Sequence, residues 1–377
     1  MVHASTSSGK YKTVAIIGGG PAGCICANYL QDSFDVTLFD KSNFLRTLLP
    51  TGGGRCNLAH SEYDFKELAK NYPRGEKFLY SVFSRFGTAD TIDFFESIGI
   101  KTYTQEDNRI FPVSNSAKDV REKMLNSLSK TTFVKEKVIT IEQLDNCWKL
   151  KTDKSSYAFD IIVVAIGGHV DFDFLKELDI NIVPPTQSLV GLITKENFAD
   201  IAGVCINNIL FTHKGVSGPY IYTISSINAR KEMPYKLNLK LIEEFNLQEH
   251  LDKNSHKEIK NLLGQFVPKA LAVWVLNSLN ISPETPCHKI DGKTRDKILN
   301  KLTNFEVTVT GKVLDSEVVT CGGIDLKEIN AKTLESKTYS GLYFCGEVLD
   351  IDGFCGGFNL QNCWSTGYVV SQSILNL

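Results

Sequence analysis

The stretch from Thr13 to Asp40 constrains this chain more than any other. Thr13–Ile17 reads Thr-Val-Ala-Ile-Ile, a β-branched apolar run of the kind buried on both faces of a parallel sheet. Gly18-Gly19-Gly20-Pro21-Ala22-Gly23 follows as G-x-G-x-x-G, then a helix-compatible segment, Cys24–Gln31. A second strand, Asp35–Phe39, ends in Asp40, 17 residues past Gly23. Each part has a physical task. Gly18 permits a tight turn, Gly20 lets the backbone approach a pyrophosphate, and Gly23 lets the helix lie close on the strand. With Pro21 and Ala22 they open a helix whose free N–H groups favour an anion, and the acid after strand two suits ribose hydroxyls. This order of elements predicts a dinucleotide-binding βαβ unit. By itself it does not separate NAD from FAD.

The remaining composition narrows the class. With 377 residues the chain has room for two or three domains, and 42% hydrophobic residues can build real cores. A net charge of −2 provides no global field for nucleic acid or membrane, and no apolar run reaches a membrane span. Ten cysteines form no C-x-x-C pair and no short framework, and no leader-like apolar stretch opens the chain. Reduced thiols in the cytoplasm, and no metal site, are the expectation. Residues 1–12 read as a disordered polar tail.

Arg46–Leu58 contains Thr-Gly-Gly-Gly-Arg-Cys-Asn. Gly53 and Gly54, within a run of three glycines, make a backbone able to lie against a flat ligand. Arg55 is a fixed planar cation for phosphate or an electron-rich ring. Cys56, beside Arg55, is either a packed small residue or a thiol with a lowered pKa. Asn57 completes the motif.

The fingerprint followed by Thr-Gly-Gly-Gly-Arg-Cys-Asn resembles the HI0933-like flavoproteins, also called BaiN/YhiN-like. The similarity returns at Asn108–Val120 (an Arg-x-Phe-Pro segment), Leu210–Pro219, Val318–Ser336 and Gly341–Gly367. It implies an α/β fold: a discontinuous Rossmann-type FAD-binding domain (13–187 plus 318–377). An inserted, β-barrel-like substrate domain would occupy 188–317, with a helical segment at about 241–301. FAD would contact Gly18, Gly20–Gly23, Asp40, Lys41 and Gly53–Asn57. Val138 would bring backbone to the adenine. Ala165 and Gly167, ending the strand in Asp160–Gly168, would pass the pyrophosphate. The chain departs from the family after Gly168, where a longer segment is missing, which would leave the flavin more open.

The C-terminal block moves the expected cofactor from NAD to FAD. Gly346, Glu347, Asp350 and Gly353 follow a short buried strand, Leu342–Cys345, and supply an acid for ribityl or ribose hydroxyls. Gly356, Gly357, Phe358, Asn359 and Leu360 open a final helix, Asn362–Leu375, whose positive end suits the N1–C2=O edge of a reduced flavin. Two distant Gly/acid elements flanking one crevice fit the longer FAD.

The resemblance further implies NAD(P)H as a transient donor, without a second G-x-G-x-x-G, and hydride transfer to an activated C=C bond of a conjugated carbonyl. The substrate is either a small molecule or a uridine of ribosomal RNA reduced to dihydrouridine. A flavin protein oxidising a small amine, or one without turnover, is a further alternative. The candidates for catalysis are Cys56 as acid, Arg55 as the cation facing an enolate, and His213 in the Thr-His-Lys-Gly turn, which is either solvated or faces the substrate. Lys289–Lys301 carries five cations against two carboxylates, a local +3: a solvated helix face or an RNA-contacting patch. The oligomeric state is left open.

Overall fold

The computed structural model describes residues 12–168, 171–313 and 319–377. The expected tail and His169, where the chain departs from the family, lie outside the described residues, the tail save for Lys12.

The chain divides into two compact units, residues 1–186 with 319–377, and residues 187–318. The first is built on a five-stranded parallel sheet. Its order is Leu342–Phe344, Ile161–Val164, Thr13–Ile17 (β1), Asp35–Phe39 (β2) and Thr132–Val134. Central β1 carries Val14, Ala15 and Ile16 with no exposed surface, which is why it reads as an unbroken apolar run. Helix Pro21–Leu30 (α1) joins β1 to β2. It starts three residues before the sequence expectation because Pro21 has the fixed φ suited to a first helical position. The C-terminal helix, Phe358–Leu375, packs on α1 so closely that a Cβ at Gly367 would lie 2.5 Å from the Ala22 carbonyl oxygen. Order returns to the sheet edge through Leu342–Phe344, so the two ends of the chain share one core.

The run Val134–Ile141 is split between two strands. Thr132–Val134 joins the parallel sheet, whereas Val138–Gln143 opens an antiparallel meander with Trp148–Thr152 and Ser156–Phe159. The three charged residues between, Lys135–Lys137, make the turn.

The second unit holds a six-stranded antiparallel sheet. Its order is Cys205–Ile206, Ile209–Thr212, Gly215–Ser217, Leu192–Thr194, Phe305–Lys312 and Tyr235–Leu239. Among the described residues its end strands do not pair with each other, so the expected barrel is an open sheet. The helical stretch is not a body of its own either. Leu262, Leu271, Val275 and Ile298 share one core with Phe211, Phe305 and Val307 of the sheet. An amphipathic helix buries its stripe on the nearest apolar sheet face. No helix among the described residues is long and apolar enough to cross a membrane.

Candidate flavin site

The fingerprint turn separates glycines the protein needs from one it does not. Gly18 has φ +111°, and a Cβ there would meet the Ala165 carbonyl oxygen at 2.3 Å, where strand Ile161–Val164 exits beside β1. A Cβ on Gly23 would sit 2.0 Å from the Gly18 carbonyl oxygen. Both glycines are demanded by packing. Gly20 is different. Its φ is an ordinary −83°, and a Cβ would find nothing nearer than Thr47 Oγ1 at 4.0 Å. It precedes α1, whose first turn carries no side-chain cap. Helix N–H groups therefore end at open space, which is the geometry of an anion site. Asp40 braces this turn: its Oδ2 accepts the Gly19 N–H at 2.9 Å and its Oδ1 accepts Ser42 N–H and Oγ–H at 2.7 and 2.9 Å. Lys41 beside it is exposed.

The glycine run is a left-handed turn, with φ of +58°, +69° and +83° at Gly52, Gly53 and Gly54, and +66° at Cys56. A Cβ at Gly53 would touch nothing. The Arg55 guanidinium lies 4.2 Å over the Phe111 ring and has no carboxylate partner among the described residues. Its Nε donates to the Gly52 carbonyl at 3.3 Å. Sequence adjacency misled the reading of Cys56. Its thiol is fully buried, and burial pushes its pKa up to about 12 against the opposing effect of the Thr51 hydrogen bond. A lowered pKa is thus corrected: Arg55 spends its charge on Phe111, and Cys56 stays a protonated packing residue at neutral pH. Next to it, Asn57 Oδ1 is buried without a hydrogen-bond partner among the described residues.

The C-terminal elements close on the same unit. A Cβ on Gly346 would press Ala22 of α1 at 2.7 Å, and the Gly346 N–H donates to Thr366 Oγ1 at 2.8 Å. Glu347 accepts the Thr320 N–H at 2.9 Å. The Asp350 N–H donates to the Ile324 carbonyl at 3.0 Å. Asn359 clasps Gly353, accepting its N–H and donating to its carbonyl, both at 2.8 Å. Gly356 and Gly357 bring the chain against Ala59, whose carbonyl oxygen would be 2.5 Å from a Cβ on Gly357. The helix starts at Phe358, earlier than expected, because Gly357 in the left-handed region ends the turn, and no side chain caps it. Tyr72 Oη donates to the Phe358 carbonyl at 2.6 Å. Leu360 is half-buried.

Two residues near these elements escaped the sequence reading. His60 Nδ1 lies 3.2 Å from the Gly356 carbonyl oxygen, and its ring packs on Phe358 at 4.6 Å between centroids. Its signal was position, three residues after Asn57. Asn362, buried in the C-terminal helix, also has an Oδ1 without a partner. Its signal was a polar residue on a buried face. Val138 opens the meander opposite Thr152, and Gly167 (φ +79°) has open space at its Cα. His213 sits in the exposed turn between Ile209–Thr212 and Gly215–Ser217 of the second unit, apart in fold unit from Arg55 and Cys56.

The buried thiols carry a pH consequence. Burial raises Cys56 and Cys363 to about 12 and Cys24, Cys26 and Cys345 higher, from an ordinary value near 9. A proton held more tightly in the folded state stabilises it fully below pH 9, and this stability is lost as pH rises towards 12. Melting temperature measured from pH 8 upward is expected to fall steeply above pH 9. A flat profile to pH 11 would contradict the burial of these thiols.

A Rossmann-type parallel sheet with a glycine turn open to a dinucleotide, rejoined by a C-terminal Gly/acid element, defines the class. Comparison with known proteins agrees. The chain matches the HI0933-like protein Rossmann domain over residues 12–373. It is 27% identical over 405 residues to the ribosomal RNA dihydrouridine synthase of Haemophilus influenzae, covering 97% of this chain and 99% of the relative. It is 26% identical over 407 residues to the 3-dehydro-bile acid delta(4,6)-reductase of Clostridium scindens, covering 96% and 98%. Among solved structures, the fold is similar to 3-ketosteroid delta1-dehydrogenase from Sterolibacterium denitrificans, with a TM-score of 0.53 at 11% identity over 97% of this chain and all of that one. The chain belongs to the HI0933-like family and is an FAD-dependent oxidoreductase by class.

Proposed function

We propose that this protein is an NAD(P)H-dependent reductase that saturates a C=C bond conjugated to a carbonyl in a small molecule. The residues fit FAD on three counts. Gly20, Gly53 and Gly167 have no packing reason to be glycine, α1 and the C-terminal helix start uncapped, and Asn57 Oδ1 is buried and orphaned. A buried acceptor without a donor costs about 1–3 kcal/mol and calls for a ligand N–H or O–H. In this reading Gly20–Gly23 and the start of α1 hold the pyrophosphate, with Ala165 and Gly167 alongside. Asp40 and Lys41 meet the adenosine ribose, and Val138 backbone the adenine. Gly346, Glu347, Asp350 and Gly353 serve the ribityl side, and Gly53–Asn57 with the Gly356–Leu360 helix start frame the ring.

FAD, when bound, supplies the two-electron carrier between nicotinamide and substrate. The chain's share is to orient and to stabilise charge. The observation that carries the reaction type is Arg55: a half-buried guanidinium, fixed on Phe111 and without a carboxylate partner among the described residues, beside the orphaned Asn57. Such a cation is preorganised for the oxyanion that develops when a conjugated carbonyl accepts a hydride. The names of both relatives denote saturation of a C=C bond conjugated to a carbonyl, one in a bile acid and one in uridine. Cys56, protonated and buried, takes no acid role here.

A second reading, uridine of ribosomal RNA as substrate, is favoured by one surface feature. Lys289, in the short turn Cys287–Lys289, and Lys293 and Lys297, on the helix Gly292–Thr303, are exposed and make no ion pair among the described residues, although Arg295 on that helix is tied to Asp296 and Gln248. Unpaired lysines this close along the chain suit phosphates.

The test is an anaerobic absorbance titration of the purified protein with NADH and NADPH. Flavin bands are expected, bleached by one nucleotide and restored by an enone. Restoration by unmodified ribosomal RNA alone would favour the second reading. Bands that do not bleach would sink the NAD(P)H-linked mechanism and leave amine oxidation.

A further inference from the structure

We propose that His60 is the acid that protonates the substrate carbon in this reaction. The inference rests on the reductase reading above and adds the group that reading lacks. Ala59–His60 is a two-residue strand paired antiparallel with Ile110 and Arg109, which places His60 directly opposite Arg109. Its ring lies against the turn that starts the C-terminal helix. Nδ1 is 3.2 Å from the Gly356 carbonyl oxygen, and one face packs on Phe358 with 30° between the planes. A carbonyl only accepts, so the hydrogen bond assigns a proton to Nδ1. That leaves Nε2 as the working nitrogen, and it has no hydrogen bond or ion pair among the described residues. The side chain is half-buried, so it is not sealed from proton exchange with solvent.

The charged and titratable surroundings are few. Arg109 faces His60 across the ribbon, and its charge is matched by Asp107 at 2.6 Å. The Cys355 thiol is exposed and adjoins Arg109. From the neighbouring helix the Thr88 hydroxyl donates to the His60 carbonyl at 3.0 Å. The Glu62 N–H donates to the same carbonyl at 2.8 Å, while the Glu62 carboxylate accepts from Asp64 N–H. Among the described residues no carboxylate bonds the imidazole. The other candidate within this unit, Cys56, is sealed in the core. Histidine is the side chain that ordinarily exchanges protons near neutral pH.

The step balances. Hydride adds to the carbon β to the carbonyl, and the C=C pair moves to give an enolate faced by Arg55. The Nε2–H bond of the imidazolium breaks as the enolate pair takes its proton, forming the C–H bond at the α carbon. A neutral imidazole remains, with Nδ1–H still on the Gly356 carbonyl, and recovers its proton from water. One NAD(P)H and one proton are consumed for each C=C bond reduced.

The test uses the FAD-loaded full chain, wild type against His60→Gln and His60→Asn. The chain is reduced anaerobically by its nicotinamide donor and then mixed with a 4-en-3-one steroid and, separately, cyclohex-2-enone. Bleaching by the donor is expected at the wild-type rate in both variants, which also shows that they fold and load. Reoxidation by the enone is expected to slow about 10²-fold or more. In wild type it is expected to decline as pH rises, because the acid must carry its proton, and that decline disappears in the variants. A second readout needs no turnover: in ¹⁵N-histidine spectra the signal missing from His60→Gln should show the Nδ1–H tautomer and move when FAD is added to the apoprotein. Variant reoxidation at the wild-type rate and pH dependence, or a His60 signal unmoved by FAD, overturns the role of His60 alone. Wild-type protein that bleaches but is reoxidised by neither enone overturns the reductase reading and this role together.

Discussion

Gly20→Val is expected to yield a stable, colourless protein. The backbone at Gly20 is extended (φ −83°, ψ −172°), a conformation valine adopts readily, and a Cβ there meets no protein atom within 3.9 Å. Folding should therefore be unaffected, with the apoprotein melting within a degree or two of wild-type apoprotein. The added methyls occupy the space through which a phosphate would approach the N–H groups of α1. Losing two charge-assisted bonds at about 1.5–3 kcal/mol each amounts to about 10²–10⁴ in Kd for FAD, measured by fluorescence quenching on titration. Gly18→Ala provides the contrast. A left-handed φ of +111° and a Cβ 2.3 Å from backbone oxygen of Ala165 leave alanine no place. Strain and overpacking together should cost about 2–6 kcal/mol, so this variant fails as a fold before it fails as a flavin binder. Equal FAD affinity in Gly20→Val and wild type would remove the fingerprint from the cofactor site.

The two glycines illustrate what could be read before the fold was known. Strand β1, the turn and β2 were legible because the run of β-branched residues, the glycines and the acid are close in sequence and each has a local cause. The C-terminal helix was legible as an element, but its start was not, since the left-handed φ of Gly357 answers to Ala59, nearly 300 positions earlier. The same limit governs the chemistry. Cys56 follows Arg55 in sequence, yet in space Arg55 turns onto Phe111 and the thiol into the core. His60 becomes interesting only through the Gly356 carbonyl. In the Lys289–Lys301 stretch, counting charge was sound, but one of five cations is spent on Asp296 and Gln248, and Lys301 packs over Phe305 at 4.8 Å. Residue types announce what chemistry is available; partners remote in sequence decide whether it is used.

Arg74→Met is the substitution expected to cost the most stability away from the glycine turn. Arg74 grips Asp352 through two parallel N–H···O bonds, and Asp352 is completely buried. Burial acts to lower the Arg74 pKa, but the hydrogen bond and charge of Asp352 outweigh it and the net shift is upward. The Arg74 guanidinium thus holds its charge more firmly beside Asp352 than it would alone. Removing the cation leaves a buried carboxylate without its bidentate partner, a loss of about 3–5 kcal/mol. The denaturant midpoint should fall accordingly with an unchanged slope. The pair also ties residues 350–354 to the Asn71–Arg74 turn, where the Phe354 N–H donates to the Asn71 carbonyl at 2.9 Å and Tyr72 abuts Gly353. Loosening it frees the segment that carries Asp350, Gly353 and the Gly356–Gly357 turn, so FAD should bind more weakly even in the fraction that remains folded. The double variant Arg74→Met with Asp352→Leu separates the two effects. Apolar replacement of both charges should recover much of the stability, while FAD affinity stays low if the ion pair fixes the loop. Recovery of both together would mean that the pair serves the fold alone.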